Sequence, residues 1–258
     1  MKIIAIIGSP RKKGNTYGVV EKIRLQLKKY NNDIDFEYIF LADQNIQLCK
    51  GCFACIARGA DMCPLKDDRN AIEKKILDSD GVIVAAPSYV MGVPGIMKNF
   101  LDRFAFACHR PLFFDKAFLA VTTVGGIKGM KQALEQLAIL SAGAKSIIKL
   151  GITTPPITMA GLHKKADKRI DKASGAFMIA LQKQQRKLPG IADWAWYHSF
   201  KTLSSYESYQ KVCPADFSYY QDKNEYFYNL NGHPVKRTIG KIFGGIMRSS
   251  LKFMIERE

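Results

Sequence analysis

The strongest constraint on the fold is a regular alternation of short apolar runs and amphipathic stretches from the N-terminus to Ile152. Continuous apolar runs indicate strands buried on both faces of a sheet, and apolar residues at helical spacing indicate helices packed on that sheet. The predicted strands are Lys2–Ile7, Ile34–Leu41, Gly81–Ala86, Ala117–Thr122 and Lys145–Ile152. The predicted helices lie within Thr16–Lys29, Asp67–Leu77, Gly92–Ala107 and Gly129–Leu140. We therefore predict an α/β protein with a five-stranded parallel sheet and helices on both faces.

Three loops of unusual composition follow the carboxyl ends of these strands. They are Gly8–Thr16, Pro87–Val93 and Thr122–Gly129. Ligands of open parallel sheets bind beyond those ends, where the strand order reverses. We expect the functional site to be built from these three loops.

The first loop has the chemistry of a phosphate site. Its sequence, GSPRKKGNT, links the first strand to the first helix, where free backbone N–H groups and the helix dipole favour an anion. Ser9, Asn15 and Thr16 add short polar side chains, and Arg11 adds a guanidinium suited to phosphate oxygens. The loop contains neither GxGxxG nor GxxxxGK[ST], which argues against a dinucleotide or a nucleoside triphosphate. A terminal monophosphate fits better.

Together these loops resemble those of the flavodoxin-like NAD(P)H-dependent FMN reductases and, more narrowly, of the iron–sulfur flavoproteins. The family's GSxRxxGNT loop, which holds the FMN phosphate, is matched by Gly8, Ser9, Arg11, Gly14, Asn15 and Thr16. The family's PxYxxxxPGxxKxFxDR pattern is matched by Pro87, Tyr89, Pro94, Gly95, Lys98, Phe100, Asp102 and Arg103. The segment Thr122–Gly126 is similar to the family's loop at the flavin edge.

The resemblance implies an FMN-binding domain at residues 1–155 and a basic, aromatic-rich extension at residues 156–258. The implied FMN-binding residues are Ser9, Arg11, Gly14, Asn15, Thr16, Pro87, Ser88, Tyr89, Val90, Met91, Gly92, Thr123, Val124, Gly125 and Gly126. The flavin would carry the chemistry, and no acid–base side chain is required.

Four of the six cysteines lie within fifteen residues and suggest a metal centre. Cys49, Cys52 and Cys55 have the C-x2-C-x2-C spacing of bacterial ferredoxins, and Cys63 follows and precedes a proline. The family resemblance supports a 4Fe–4S cluster here. Two alternatives remain open: a redox-silent zinc site and four reduced thiols. Cys108 is isolated and is expected to be a core thiol.

The extension has a basic helical candidate at Leu162–Lys187, many aromatic residues between Ile191 and Leu230, and an amphipathic stretch at Pro234–Glu258. We expect the amphipathic stretch to pack as a helix on the protein or on a neighbouring subunit, and a homo-oligomer (dimer or tetramer) is implied by the resemblance. Contact with an anionic membrane is the alternative. The net charge of +16 is spread along the chain and is interpreted mainly as a solvated surface.

The resulting hypothesis is a cytoplasmic FMN-dependent oxidoreductase that transfers electrons from NAD(P)H to a second acceptor, such as a flavin or a quinone. The apolar run Ile3–Ile7 is too short for a secretory signal, and no stretch is long enough for a membrane span. An iron–sulfur flavoprotein acting as an electron carrier is the alternative, and a non-enzymatic basic binding module is a third possibility. No nucleic-acid partner is expected.

Overall fold

A computed structural model describes residues 1–126, 128–157 and 161–255 of the chain. The strands are β1 (Lys2–Ile7), β2 (Asp35–Phe40), β3 (Gly81–Pro87), β4 (Ala117–Val124) and β5 (Ser146–Thr153). The helices are α1 (Asn15–Tyr30), α2 (Ala54–Ala57), α3 (Arg69–Leu77), α4 (Gly95–Asp102), α5 (Phe106–His109), α6 (Met130–Ala138), α7 (Leu162–Gln182), α8 (Ile191–Leu203), α9 (Glu207–Val212), α10 (Pro214–Tyr220) and α11 (Pro234–Ile255).

All five strands are parallel and follow the order β2-β1-β3-β4-β5. This order confirms the flavodoxin-like sheet expected from the sequence. Several strand ends differ from their predictions, because β3 includes Pro87, β4 continues beyond Thr122 and β5 ends at Thr153. Thr123 and Val124 pair with Ile152 and Thr153 of β5, so the third loop begins at Gly125.

The central strands of the sheet are buried on both faces and are mostly apolar, apart from Thr122 and Thr123 near the end of β4. On one face, α1 and α7 complete a single hydrophobic cluster with β1, β3 and β4. The approach is close at Gly81, where a Cβ would lie 2.4 Å from Cδ2 of Leu181. The absence of a side chain at Gly81 therefore lets the end of α7 pack directly on β3. On the other face, α6 contacts β3 and β4.

Two compact units divide the chain. The first contains Met1–Lys50, Leu65–Phe104 and Leu112–Arg186, and the second contains Gly51–Pro64, Ala105–Pro111 and Lys187–Glu258. Each unit contains three separate segments of the chain, so the two units are not consecutive segments that meet at residue 155. The functional division into residues 1–155 and 156–258 stays a prediction.

The second unit has its own aromatic core. Trp194, Tyr197, Tyr220, Tyr226 and Leu230 are buried together. Helix α11 packs on α8 within this unit. None of the helices in the described ranges is long and apolar enough to cross a membrane.

Candidate functional site

The first and second predicted loops, together with the glycines that follow β4, leave the carboxyl ends of three adjacent strands in the first unit. β3 lies between β1 and β4 in the sheet. The N–H of Gly8 donates to the Ala85 carbonyl over 2.8 Å, and the N–H of Ser88 donates to the Thr123 carbonyl over 2.8 Å. These two bonds continue the hydrogen bonding between neighbouring strands past the strand ends, and they fix the points at which the loops begin.

The phosphate-type loop is shaped by its own polar groups. The Ser9 hydroxyl is buried, donates to the Arg11 carbonyl over 3.0 Å and accepts from the Arg11 N–H over 3.2 Å. The chain then enters α1 at Asn15, with Gly14 as the capping residue and an uncharged first turn. The arrangement leaves the positive end of the α1 dipole beside an exposed Arg11 side chain.

Two residues from different predicted loops meet directly. The hydroxyls of Thr16, in the first turn of α1, and Thr123, near the end of β4, are hydrogen-bonded over 2.8 Å. Both residues are buried. One hydroxyl hydrogen is used between them, so one further donor remains for a group above this edge.

The second loop is a tight and strained turn. Tyr89 and Gly92 exchange two backbone hydrogen bonds of 2.8 and 3.0 Å, and the two residues between them have left-handed backbones, with φ of 45° at Val90 and 69° at Met91. Glycine or asparagine is usual at such positions, and a β-branched residue there is an outlier. The side chain of Val90 is fully exposed, and Tyr89 and Met91 are also exposed. The turn therefore presents apolar groups to solvent at a high conformational cost.

Gln136 holds this turn in place. Its Oε1 accepts from the Val93 N–H over 2.9 Å, and a Cβ at Gly92 would lie 3.1 Å from the same oxygen. The glycine therefore allows α6 to approach the turn closely.

The glycines of the third loop leave space. A Cβ added to Gly125 or Gly126 would have no atom within 4 Å in the described structure, and both residues are exposed. The next loop residue, 127, lies outside the described residues. Two cavities open at this end of the first unit: one of about 420 Å³ beside Lys13, Gly14 and Asn15, and one of about 700 Å³ beside Met91 and Gly129.

The cysteine loop is fastened to the first unit at both of its ends. Asn99 accepts from the Cys49 N–H over 2.9 Å and donates to the Gln47 carbonyl over 3.2 Å. The Arg103 guanidinium donates to the same Gln47 carbonyl over 3.0 Å and forms a fully buried ion pair with Asp67. Burial raises the pKa of Asp67. The hydrogen bonds from Arg103 and from the N–H groups of Gln47 and Arg69 lower this pKa by a larger amount, so it lies below its usual range.

The middle of the cysteine loop belongs to the second unit. Arg110 donates to the Cys55 carbonyl over 2.7 Å and forms an ion pair with the buried Asp216. Asp216 also accepts from the Tyr209 hydroxyl over 2.8 Å. Burial raises the pKa of Asp216. The hydrogen bonds from His109 and Tyr209 and the charge of Arg110 outweigh this effect, so the pKa of Asp216 lies below its usual value. The backbone at Cys55 is therefore anchored to a charged core.

The four predicted metal ligands fit a metal centre by chemistry. All six cysteines lie in the described ranges and none forms a disulfide. Cys52 is exposed, whereas Cys49, Cys55 and Cys63 are half-buried. Across the described part of the chain, no three His, Cys, Asp or Glu side chains are arranged as a metal site. The thiols are suitable metal ligands by their chemistry, and the described structure does not arrange them as a metal site.

Cys108 and two tryptophans of the aromatic-rich segment make contacts within the second unit. Cys108 is half-buried rather than fully in the core, and burial raises the pKa of its thiol. Trp194 is in the core of the second unit, and Trp196 is exposed and donates to the Cys108 carbonyl over 2.6 Å.

The sequence of this part of the chain matches a known protein family. The model of the family described as NADPH-dependent FMN reductase matches residues 1–151, more than half of the chain. The chain belongs to this family. It is accordingly an oxidoreductase of a family that uses FMN and NAD(P)H.

Relatives of the chain include iron–sulfur flavoproteins. One from Archaeoglobus fulgidus is 27% identical over 230 residues, which cover 86% of this chain and 99% of the relative. Another, from Clostridioides difficile, is 31% identical over 191 residues, which cover 72% of this chain and 81% of the relative.

Solved structures agree on the fold. An NAD(P)H:quinone oxidoreductase from Methanothermobacter marburgensis has a TM-score of 0.53 at 15% identity, covering 67% of this chain and 97% of that one. A flavone reductase has a TM-score of 0.55 at 17% identity, covering 72% of this chain and 65% of that one.

Sequence reasoning missed the residues that position the two sites. The sequence assigns no role to Asn99, Arg110 and Gln136, and it marks Arg103 only as the last residue of the PxYxxxxPGxxKxFxDR pattern. Their partners lie 36 to 106 residues away in the chain. No periodicity connects residues at such separations, and the one signal in the sequence is the placing of Arg103 and Arg110 in a mostly apolar segment.

Proposed function

We propose that FMN binds across the three loops and that the protein transfers electrons from NAD(P)H to a second acceptor. The phosphate would lie at the N-terminus of α1, contacted by Arg11, Asn15 and the remaining donor of the Thr16–Thr123 pair. The observation that most supports this site is the convergence of that polar helix start, the strained turn and the open glycines on adjacent strands.

Each loop has a separate task in this proposal. Tyr89, Val90 and Met91 would pack along the ring, which accounts for an exposed apolar turn with a strained backbone. Gly125 and Gly126 would let backbone N–H groups approach the ring edge. When bound, FMN supplies hydride and single-electron chemistry, and the protein binds it, orients it and limits the access of water. Cytoplasmic location and a homo-oligomeric state stay predictions.

The phosphate site is tested by the double variant Arg11→Ala with Thr16→Ala. Loss of a charge-assisted contact and a hydroxyl donor should weaken binding by about 2–4 kcal/mol, or about 30- to 700-fold in Kd. Fluorescence titration of apoprotein with FMN and riboflavin measures this, because riboflavin has no phosphate and its affinity should change little. Lys29→Ala, an exposed lysine at the far end of α1, is the matched control. Unchanged FMN affinity in the double variant would refute the site.

The cysteine loop supports a second candidate function, that of an iron–sulfur flavoprotein. Cys49, Cys52, Cys55 and Cys63 would hold a 4Fe–4S cluster, which would supply single-electron chemistry. The C-x2-C-x2-C spacing and the iron–sulfur flavoproteins among the relatives favour this candidate. The anchors described above, Asn99 and Arg103 at the loop ends and Arg110 at Cys55, would position the ligand-bearing backbone.

Anaerobic purification followed by iron, sulfide and zinc analysis tests the second candidate. A cluster requires iron and sulfide in equal amounts, and the Cys52→Ser variant should lose both while retaining flavin. Cys108→Ala, outside the loop, should retain all three. One zinc per chain without sulfide would support the zinc alternative, and the absence of any metal would leave a flavin reductase with reduced thiols.

A further inference from the structure

A separate polar pocket lies wholly within the second unit and takes no part in the flavin or cysteine sites. It has a volume of about 360 Å³ and opens beside α8, α11 and the segment at residues 224–225. Its charged and titratable lining residues are His198, Lys201, Glu225, Arg237, Lys241 and Arg248. The size is near the lower end of cavities that hold small molecules.

The pocket carries a large excess of positive charge. Arg237 forms an ion pair with Glu225, which is the one carboxylate of the lining. Among the residues that the structure describes, no carboxylate pairs with Lys241 or Arg248. In the part of the chain that the structure describes, Lys201, Lys241 and Arg248 therefore line one pocket without an ion-pair partner, since Glu225 pairs with Arg237.

Lys201 shows the effect of this concentration of charge. Its ammonium donates to the carbonyls of Tyr220 and Lys223, which uses two of its three hydrogens. Burial lowers the pKa of Lys201, and the charges of Arg248 and Lys223 lower it further. An anion in the pocket would relieve both repulsions.

The same wall contains buried polar atoms without partners. Nε2 of His198, Nε of Arg237 and Oε2 of Glu225 have no hydrogen-bond partner within the described chain. Unsatisfied buried groups are rare in folded proteins. Nε of Arg237 is a donor that an anion can accept from, whereas Nε2 of His198 and Oε2 of Glu225 need a donor from a protonated ligand oxygen or from ordered water.

Close helix packing makes the pocket a fixed structure. A Cβ at Gly240 would lie 2.5 Å from the Trp194 ring, and a Cβ at Gly244 would lie 2.6 Å from Cε1 of His198. The two glycines therefore let α11 approach α8 and hold the His198 ring at the pocket wall. Trp194 stacks on the same ring, with centroids 5.5 Å apart.

We propose that this pocket binds a small anion that carries a diphosphate group. Three cations without an ion-pair partner in the described part of the chain match a multiply charged anion better than a single carboxylate. Lys201, Lys241 and Arg248 would contact the phosphoryl oxygens, and a protonated oxygen would donate to Nε2 of His198. Free pyrophosphate and a nucleoside diphosphate both carry the required group.

Calorimetric titration of the whole, FMN-saturated protein with inorganic pyrophosphate at physiological salt tests this assignment. Added FMN fills the loop at α1, which is the other phosphate-type site. We expect one pyrophosphate per chain and a loss of affinity of about tenfold or more in the double variant Lys241→Gln with Arg248→Gln. Both residues are exposed, so the fold should persist, as circular dichroism will check.

The control is Lys211→Gln, an exposed lysine in the same unit that does not line the pocket. It should change the affinity less than about twofold, since only long-range screening is altered. ADP compared with pyrophosphate distinguishes the two sources: tighter ADP indicates a nucleoside diphosphate, and equal affinity indicates that the diphosphate suffices.

Two results would overturn the proposal. The first is no pyrophosphate binding at millimolar concentration, or equal affinity for pyrophosphate and orthophosphate. The second is pyrophosphate binding that persists in the Lys241→Gln, Arg248→Gln variant. If binding were instead lost in Arg11→Ala with Thr16→Ala, the anion would be bound at the α1 loop.

Discussion

Gly8 is the position where one added methyl group should disturb the proposed phosphate loop most directly. A Cβ at Gly8 would lie 2.6 Å from both Cβ and Cε of Met97 and 3.2 Å from its Cα. The Met97 side chain is completely buried in α4, and its Cβ and Cα cannot rotate away. Gly8→Ala therefore requires the loop or α4 to move, and such overpacking costs about 1–3 kcal/mol.

Gly18 provides a matched control for the same chemical change. It lies inside α1, and a Cβ there would have no atom within 4 Å in the described structure. Gly18→Ala should stabilise the protein by about 0.5–1 kcal/mol, because alanine is the better helix former. The two glycine-to-alanine variants should therefore differ in free energy of unfolding by about 1.5–4 kcal/mol, with opposite signs relative to the wild type.

Urea unfolding of the apoprotein, followed by FMN titration, separates packing from binding. Gly8→Ala should lower both the free energy of unfolding and the FMN affinity, and Gly18→Ala should raise the first and leave the second unchanged. Wild-type stability in Gly8→Ala would refute the packing argument. Reduced stability with unchanged FMN affinity would show that the loop after β1 does not hold the phosphate.

Two further substitutions probe the strained turn and the buried ion pair. Val90→Gly removes an exposed side chain from a left-handed position, so it should raise the free energy of unfolding by about 0.5–1 kcal/mol while lowering FMN affinity; destabilisation in urea would contradict the strain argument. Asp67→Asn leaves Arg103 buried without its counter-charge and should cost about 3–5 kcal/mol at pH 7. Because folding lowers the pKa of Asp67, its contribution is present above the unfolded pKa of about 3.9 and is lost as the pH falls through the folded value. Acid unfolding curves should therefore show wild-type and Asp67→Asn stabilities converging below about pH 4, and a constant difference would exclude this linkage.

The sheet was predictable because its signal is local. Each central strand is a continuous apolar run, and each helix that covers it shows apolar residues at helical spacing, as in Val19, Ile23 and Leu27 of α1. The end of β4 was misplaced for a non-local reason. From the sequence, Thr123 is expected to be a polar loop residue. In the structure its backbone pairs with Ile152 and its hydroxyl is hydrogen-bonded to Thr16, so its backbone and side-chain polar groups are both satisfied at the end of β4.

The second unit shows the limit of local patterns more clearly. Its aromatic residues were visible in the sequence, but their division into core and surface was not. Trp194 is buried and Trp196 is exposed, although both lie in one helix two residues apart. The ion pair between Arg110 and Asp216 joins residues 106 positions apart, and only the folded chain brings them together.

Helix α4 and the residue after it explain why the flavin loop and one end of the cysteine loop are structurally dependent on each other. Met97 packs against Gly8 at the start of the phosphate-type loop. Two residues later, Asn99 binds the backbone of Cys49, and Arg103 binds that of Gln47. Met97 and Asn99 lie within one turn of the same rigid helix, so a displacement of α4 at Met97 should be transmitted to the backbone at Cys49. A change that moves α4 should therefore affect both proposed sites, whereas Val90→Gly, in the turn before α4, should affect only the flavin.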